Sequence, residues 1–338
     1  MNKTIEQRTT IYDVAQEASV SIATVSRFLN NPRSVKLTTA ARIALAVEKL
    51  DYIPQGNTGA RASRSVGRVG VLTPFFPAPS FVARLNGMIA PLRENNYEVI
   101  IYTIETPDQL NEYLTSVPFA RRIDGLILIS VQLTADQRRI LNAAGLNTVM
   151  IEYDDEDYSR VLADDYRGGQ IAAELFIEKD YLPCAFFGDK SSDLPYSCHP
   201  SESRFSGFSE TLDRRGAEIQ SGHILESETI VEEAFRVFKA FLESGEPRPR
   251  GIFAMSDIQA IGILKAAREH GLKVPEDLAI LGFDNIEAAD WMELSTITQH
   301  LTDSGKVAAG LLLDQMSGRV ETLQKINLQV SLIERATT

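Results

Sequence analysis

The sequence predicts a small all-α helix-turn-helix head joined to an α/β core of two doubly wound parallel-sheet subdomains. Three observations lead there. Residues 10–50 carry three short amphipathic helical patterns in succession. From Arg68 onward, continuous apolar runs alternate with helical segments, as buried parallel strands do with crossover helices. That alternation runs through two series, which implies two sheets.

The length of 338 residues allows two or three domains and a core of ordinary size. With 44% apolar and 24% charged residues the composition is that of a globular chain. The opening MNKTIEQRTT lacks the apolar run of a signal peptide, and no 18-residue apolar stretch occurs, so the expected compartment is the cytoplasm. Cys184 and Cys198 are too few and too isolated for a disulfide framework or a zinc site.

A net charge of −12 argues against an anionic partner until its distribution is read. Through residue 68 there are ten basic and five acidic residues, so that segment is +5 and the remainder −17. A basic head on an acidic body is the asymmetry expected when only the head meets nucleic acid.

In the head, Thr10 followed by Asp13 is a capping-box-like start, and Val14, Ala15 and Ala18 form one helical face. Ser19-Val20 interrupts the pattern, and Ser21 is a good N-cap for a second helix over 22–29. In that helix Val25, Phe28 and Leu29 share the inward face, whereas Ile22, Ala23, Ser26 and Arg27 lie outward. Asn30-Asn31-Pro32 ends it. A third helix runs from about Thr38 to Leu50, with Ile43, Ala46, Val47 and Leu50 as its apolar stripe. Two helices across a tight turn, the second with a small or polar outer face, fit a helix whose first residues reach base edges in the major groove.

In the body the first series of strands reads VGVLTP, YEVIIYTI, DGLILIS and NTVMIEY, and the second RVLADD, CAFFGD, HILES, GIFAMS and LAILGFD. Ligands on such sheets sit at the carboxyl ends of the strands, and facing subdomains would put one in the cleft between them. The strand-end residues are Phe75-Phe76, Ser130, Glu152, Asp164-Asp165, Gly188-Asp189, Ser256-Asp257 and Phe283-Asp284, with Arg204 opening a helix nearby in sequence. Carboxylates and a guanidinium hydrogen-bond vicinal hydroxyls, and aromatic rings stack on sugar faces. No nucleophile elbow, P-loop or H-E-x-x-H is present, and the four histidines lack metal-ligand spacing. No cofactor, metal or catalytic residue is expected. Gly168-Gly169 stands outside any G-x-G-x-x-G and is better explained by helix packing.

YDVAQEASVSIATVSRFLNN followed by VEKLDYIP resembles the head of the lactose/galactose repressor family of bacterial transcription regulators, without a gap from Thr10 to Pro54. In the body, RVLADDYRGGQIAAELF, SRFSGFSETLDRRG, GIFAMSDIQAIGILKAAREHGLKVPEDLAILGFDN, LSTITQ and VSLIERATT are similar in order and spacing to the family's effector-binding, periplasmic-binding-protein-like core. The resemblance implies a head over 1–56, a hinge over 57–67, one core subdomain over 68–165 and 298–327, and another over 166–297 and 328–338. It places Ile22, Ala23 and Arg27 at base-reading positions. With their neighbours, the candidate DNA contacts are Thr10, Tyr12, Ser21, Ile22 and Ala23, then Thr24, Ser26, Arg27, Asn30 and Arg61 in the hinge. The candidate effector contacts are Phe76, Ser130, Glu152, Arg204, Asp257 and Phe283, with Arg204 and Asp257 implicated most strongly.

The chain departs from the family at six points, two of which, Phe75 and Ser80, keep the family's ligand class from being carried over. Ser19 replaces the usual turn glycine, which asks a non-glycine residue to adopt positive φ. Lys36 replaces a serine cap, leaving Thr38 or Thr39 to cap the third helix. Ser256 stands where the family often has Asn. Arg61 stands where the family's hinge inserts a leucine into the minor groove, so the hinge is either an electrostatic minor-groove contact or a plain tether.

The resulting expectation is a cytoplasmic repressor of a carbohydrate operon. It would bind a palindromic double-stranded operator as a homodimer or tetramer, take a sugar or sugar derivative as effector, and have no membrane partner. A two-lobed solute-binding protein and an enzyme on the same core are the rival readings, opposed by the head and by the missing motifs.

Overall fold

The computed structural model describes residues 9–30, 34–50, 52, 66–118, 122–190, 194–198 and 200–338. Hinge residues 57–65, Arg61 among them, lie outside the described residues.

The head is three helices, α1 (Ile11–Glu17), α2 (Ile22–Asn30) and α3 (Leu37–Lys49). Val14, Ala15, Ala18, Val25 and Phe28 are buried together with Ile43, Ala46 and Val47 of α3. The turn takes the strained form its sequence demands, with Ser19 at φ 52°. Helix α3 begins earlier than the sequence suggests. Thr38 and Thr39 fall inside its first turn, and the flanking Lys36 carbonyl accepts from the Thr39 and Ala40 amides, so neither threonine is the cap.

The body opens with β1 (Gly67–Thr73), α4 (Pro79–Glu94), β2 (Tyr97–Thr103), α5 (Pro107–Ser116), β3 (Gly125–Ile129), α6 (Ala135–Ala143), β4 (Thr148–Ile151) and β5 (Ser159–Ala163). It continues through α7 (Asp165–Glu178), β6 (Cys184–Asp189), α8 (Pro200–Asp213), β7 (Ile224–Ser227), α9 (Val231–Glu243), β8 (Gly251–Ala254), α10 (Asp257–Glu269) and β9 (Ala279–Asp284). The remainder is α11 (Glu287–Trp291), β10 (Ser295–Thr298), α12 (Leu301–Met316), β11 (Lys325–Leu328) and β12 (Ser331–Ile333).

One six-stranded sheet has the order β11-β5-β4-β3-β1-β2 and the other β12-β10-β9-β8-β6-β7. The pairs β1–β2, β1–β3, β3–β4 and β5–β11 are parallel, as are β6–β7, β6–β8, β8–β9 and β9–β10; β12 closes its edge antiparallel to β10. The order reverses between β1 and β3 in the first sheet and between β6 and β8 in the second. Crevices that accept ligands open at the carboxyl ends of such strands.

By packing, the chain divides into a unit of 1–76, 89–159 and 308–324 and a unit of 77–88, 160–307 and 325–338. The core of the second unit is aromatic: Phe176, Phe186, Phe208 and Phe253 are buried within one cluster, each contributing about 1.5–3 kcal/mol. Within it α7 and α8 pack backbone to backbone. A Cβ on Gly169 would stand 2.0 Å from the Arg204 carbonyl oxygen, and one on Gly207 2.0 Å from that of Tyr166. This contact explains Gly169 as helix packing, whereas Gly168 makes room for the Phe283 ring of β9.

Candidate functional site

In the head, the Thr10 amide and hydroxyl both donate to the Asp13 carboxylate, at 2.8 and 2.6 Å. These bonds hold Asp13 below the ordinary carboxylate range, as an anion at the positive end of α1. Ser21 Oγ accepts from the Thr24 amide at 3.1 Å and lies 2.8 Å from the Thr24 hydroxyl, so α2 starts where the sequence places it. Val25 and Phe28 are fully buried, and the opposite face carries Ile22, Ala23 and Arg27 into solvent. Ser26 and Thr24 are half-buried, and Tyr12 is exposed. The Asn30 side chain and Arg61 lie outside the described residues. An outward face of Ile, Ala and Arg can pack on a thymine methyl and hydrogen-bond guanine or a phosphate.

In the first unit, the carboxyl ends of β1, β3 and β4 bear Thr73, Ser130 and Glu152. Ser130 and Glu152 both have positive φ, 56° and 73°, a conformation that costs a non-glycine residue ~1–3 kcal/mol and gathers at functional sites. Ser130 Oγ donates to the Glu152 carboxylate. The Thr73 hydroxyl is fully buried and, among the described residues, has no hydrogen-bond partner. Phe75 and Phe76 follow it, half-buried.

In the second unit, Arg204 is the organising residue. Its side chain is buried, its Nε donates to Asp165 Oδ1 at 2.8 Å, and its Nη1 donates to the Met255 carbonyl at the end of β8. Its guanidinium lies 3.6 Å from the centroid of the Phe283 ring, and that ring fills the space a Cβ on Gly168 would occupy. Phe283 is 0% exposed, so it is a pedestal for Arg204 and presents no ring face to a ligand.

Asp257 is placed differently from the sequence expectation. Its Oδ2 accepts from the Ile286 amide at 2.9 Å and its Oδ1 from the Thr296 hydroxyl at 2.6 Å, and it is wholly buried. Burial, with Asp284 beside it, holds its carboxyl well above the ordinary range. Asp257 therefore ties the β9–α11 corner to β10. The strand-end carboxylate is Asp284, at φ 119°, which accepts from Gln299 Nε2 at 2.5 Å. Gln299 Oε1 in turn accepts from Arg84 Nη2 at 2.9 Å, and the Arg84 guanidinium stands 5.7 Å over Phe81. Ser256 caps α10, its hydroxyl accepting from the Gln259 amide at 3.3 Å.

The structure thus assembles Arg204 with Phe283 and Asp165 and, apart from these, Asp284 with Gln299 and Arg84. Gln299 and Arg84 were missed in the sequence. Gln299 follows strand β10 and was open to the strand-end rule. Arg84 shares a helical face with Phe81, Leu85 and Met88, and a cation on an apolar stripe was the available signal. Among the described residues no cluster of His, Cys, Asp and Glu could hold a metal ion. Burial pushes the Cys184 thiol up to about 12, away from reactivity.

Comparison with known proteins adds the following. Residues 10–55 match bacterial regulatory proteins of the lacI family, and residues 173–338 a periplasmic binding protein-like domain. The ribose operon repressor of Halalkalibacterium halodurans is 29% identical over 333 residues, 98% of this chain and 97% of that protein. The HTH-type transcriptional repressor CytR of Escherichia coli is 30% identical over 322 residues, 93% and 92% of the two chains. A LacI-family transcriptional regulator from Enterococcus faecalis V583 with bound ribose superposes with a TM-score of 0.69 at 26% identity, over 80% of this chain and 98% of that one. A complex of the regulator CelR with cellobiose superposes at 0.71 and 22% identity, over 98% and 100%.

Proposed function

The chain belongs to the lacI family of bacterial regulatory proteins, and from that premise we propose a sugar-responsive repressor that binds a two-fold symmetric operator as a homodimer in the cytoplasm. It is a transcription regulator and not an enzyme. The observation that carries the DNA reading is α2: Val25 and Phe28 seal one face while Ile22, Ala23 and Arg27 stand free on the other. No described helix is long and apolar enough to cross a membrane.

Each unit carries its own set of strand-end residues suited to a sugar: Phe76, Ser130 and Glu152 in the first, and Arg204, Asp284 and Gln299 in the second. Hydroxyl, carboxylate, amide and guanidinium groups in that mixture match vicinal hydroxyls, and ribose is the first candidate because relatives and a structural neighbour carry its name. Asp257 and Phe283 support this wall from behind. Arg61 contacts a narrow minor groove by charge. The effector changes DNA affinity only by binding the two states of the core unequally.

Titration calorimetry with D-ribose, alongside operator shifts on DNA selected from a random pool, tests this reading. Binding of ribose that weakens operator binding supports it. A protein that selects no operator sequence would overturn the regulator; one that selects an operator and ignores ribose would overturn the ligand.

A further inference from the structure

Helix α6 belongs to the body, yet its Ile140 is buried in the core of the head. Ile140 is 0% exposed, in one cluster with Val14, Val25, Ile43 and Val47, and Ala143 packs against that cluster. Helix α3 lies directly against α6. The head and α6 fall within one compact unit. The rest of α6 is fastened to α5 and to the segment that follows β4. Its N-terminus is closed by a reciprocal Thr134–Gln137 cap, and Gln137 Nε2 donates to Asn111 at 2.7 Å. Arg138 pairs with the buried Asp155 at 3.0 Å, and Asn142 accepts from the Tyr158 hydroxyl at 2.9 Å. Asp155 and Tyr158 lie on the segment that leaves Glu152, and α6 itself begins five residues after Ser130.

We propose that α6 is the docking plate for the head and that it carries the state of the Ser130–Glu152 wall to the DNA-reading helix. The docked head leaves Ile22, Ala23 and Arg27 exposed, so docking is compatible with DNA and pre-orders the head for it. A ligand that shifts Ser130 or Glu152 moves the two anchors of α6, the Thr134 cap and the Arg138–Asp155 pair, and with them the surface beneath Ile43 and Val47. The route is a contact through packed side chains, separate from the hinge. Its effector step rests on the sugar reading above; the docking step does not.

The test uses the full chain as wild type, Ile140→Glu, Ile140→Leu and Arg139→Glu, the last being an exposed position on the same helix paired with Asp136. Operator affinity by fluorescence anisotropy and hydrogen exchange over 37–49 without DNA are read together. Ile140→Glu is expected to weaken operator binding ~10-fold, since an undocked head must be ordered on DNA, and to speed exchange in α3. Ile140→Leu and Arg139→Glu should match wild type. Unchanged or tighter operator binding by Ile140→Glu overturns the proposal, as does an equal loss in Arg139→Glu. With D-ribose added, the wild-type response should shrink in Ile140→Glu; a full response there overturns the transmission step. A wild type that ignores ribose counts against the ligand alone, because affinity and exchange still decide the docking.

Discussion

Arg204 illustrates how one side chain can be fixed from three sides. Phe283 supports its plane, Asp165 holds Nε, and the Met255 carbonyl holds Nη1. Little rotamer entropy remains to be lost when a ligand arrives. Arg204→Ala is expected to lower sugar affinity by ~1–3 kcal/mol, the cost of leaving Asp165 and a ligand oxygen unpaired, with operator binding retained; calorimetry and anisotropy on the same preparation check it. Unaltered sugar affinity would remove Arg204 from the site. Asp257 gives a second prediction, one of pH. Its folded-state carboxyl titrates well above the ordinary 3.8 because of burial and the nearby Asp284. The folded chain therefore holds this proton in a window where the unfolded chain has released it, and stability from this site falls as pH rises from about 4 through that window. In Asp257→Asn that limb should vanish. Urea melts from pH 4 to 7 should show the stability of wild type minus variant declining with pH; a constant difference would show that Asp257 is ionised in the fold.

The elements were legible in the sequence where periodicity was long. The three head helices, the apolar strand runs and their crossover helices are recovered, because burial on one face or two leaves a pattern in the residues; RVLADD, read as opening the second series, is instead β5 of the first sheet, paired with β11, since periodicity marks a strand and not the sheet it joins. The short strands β10, β11 and β12 were not separately readable. Three or four residues carry too little periodicity, and their pairing is set by tertiary contact alone. The same limit applied to the site: strand ends were visible, but which carboxylate is consumed internally depends on where β10 returns, and it returns to Thr296 against Asp257. Two predictions belong to this scale. Ser19 at φ 52° is strained, so Ser19→Gly should stabilise the head by ~1 kcal/mol, visible in a thermal melt. Gly169→Ala should do the reverse, since its Cβ would meet the backbone of α8 at 2.0 and 2.7 Å. Overpacking of this kind costs ~1–3 kcal/mol. Because α8 carries Arg204, sugar affinity should fall with the melting temperature; a Gly169→Ala variant with wild-type affinity would mean that the α7–α8 spacing does not set the site.

The whole molecule is electrostatically divided, with +5 up to residue 68 and −17 beyond it. An acidic body repels DNA everywhere except where the head presents its charge, which restricts encounters to one orientation. Two consequences separate the roles of the head's cations. Each phosphate neutralised releases counterions, so the logarithm of operator affinity should fall linearly with the logarithm of salt, at a slope of ~0.9 per phosphate contact. Arg27 stands on the exposed side of α2 with Ile22 and Ala23, neither of which can hydrogen-bond a base edge. If Arg27 reads guanine, Arg27→Ala costs ~1–3 kcal/mol on the selected operator and leaves the slope unchanged. A phosphate contact would instead reduce the slope by about one and weaken all sequences equally. Exposure beside the two apolar positions favours the base contact, so the expected result is parallel salt plots for wild type and Arg27→Ala, together with relaxed selection at a single base pair per half-site. Anisotropy at a series of salt concentrations, paired with selection from random DNA, measures both. A shallower slope with unchanged selection would move Arg27 from the base edges to the backbone.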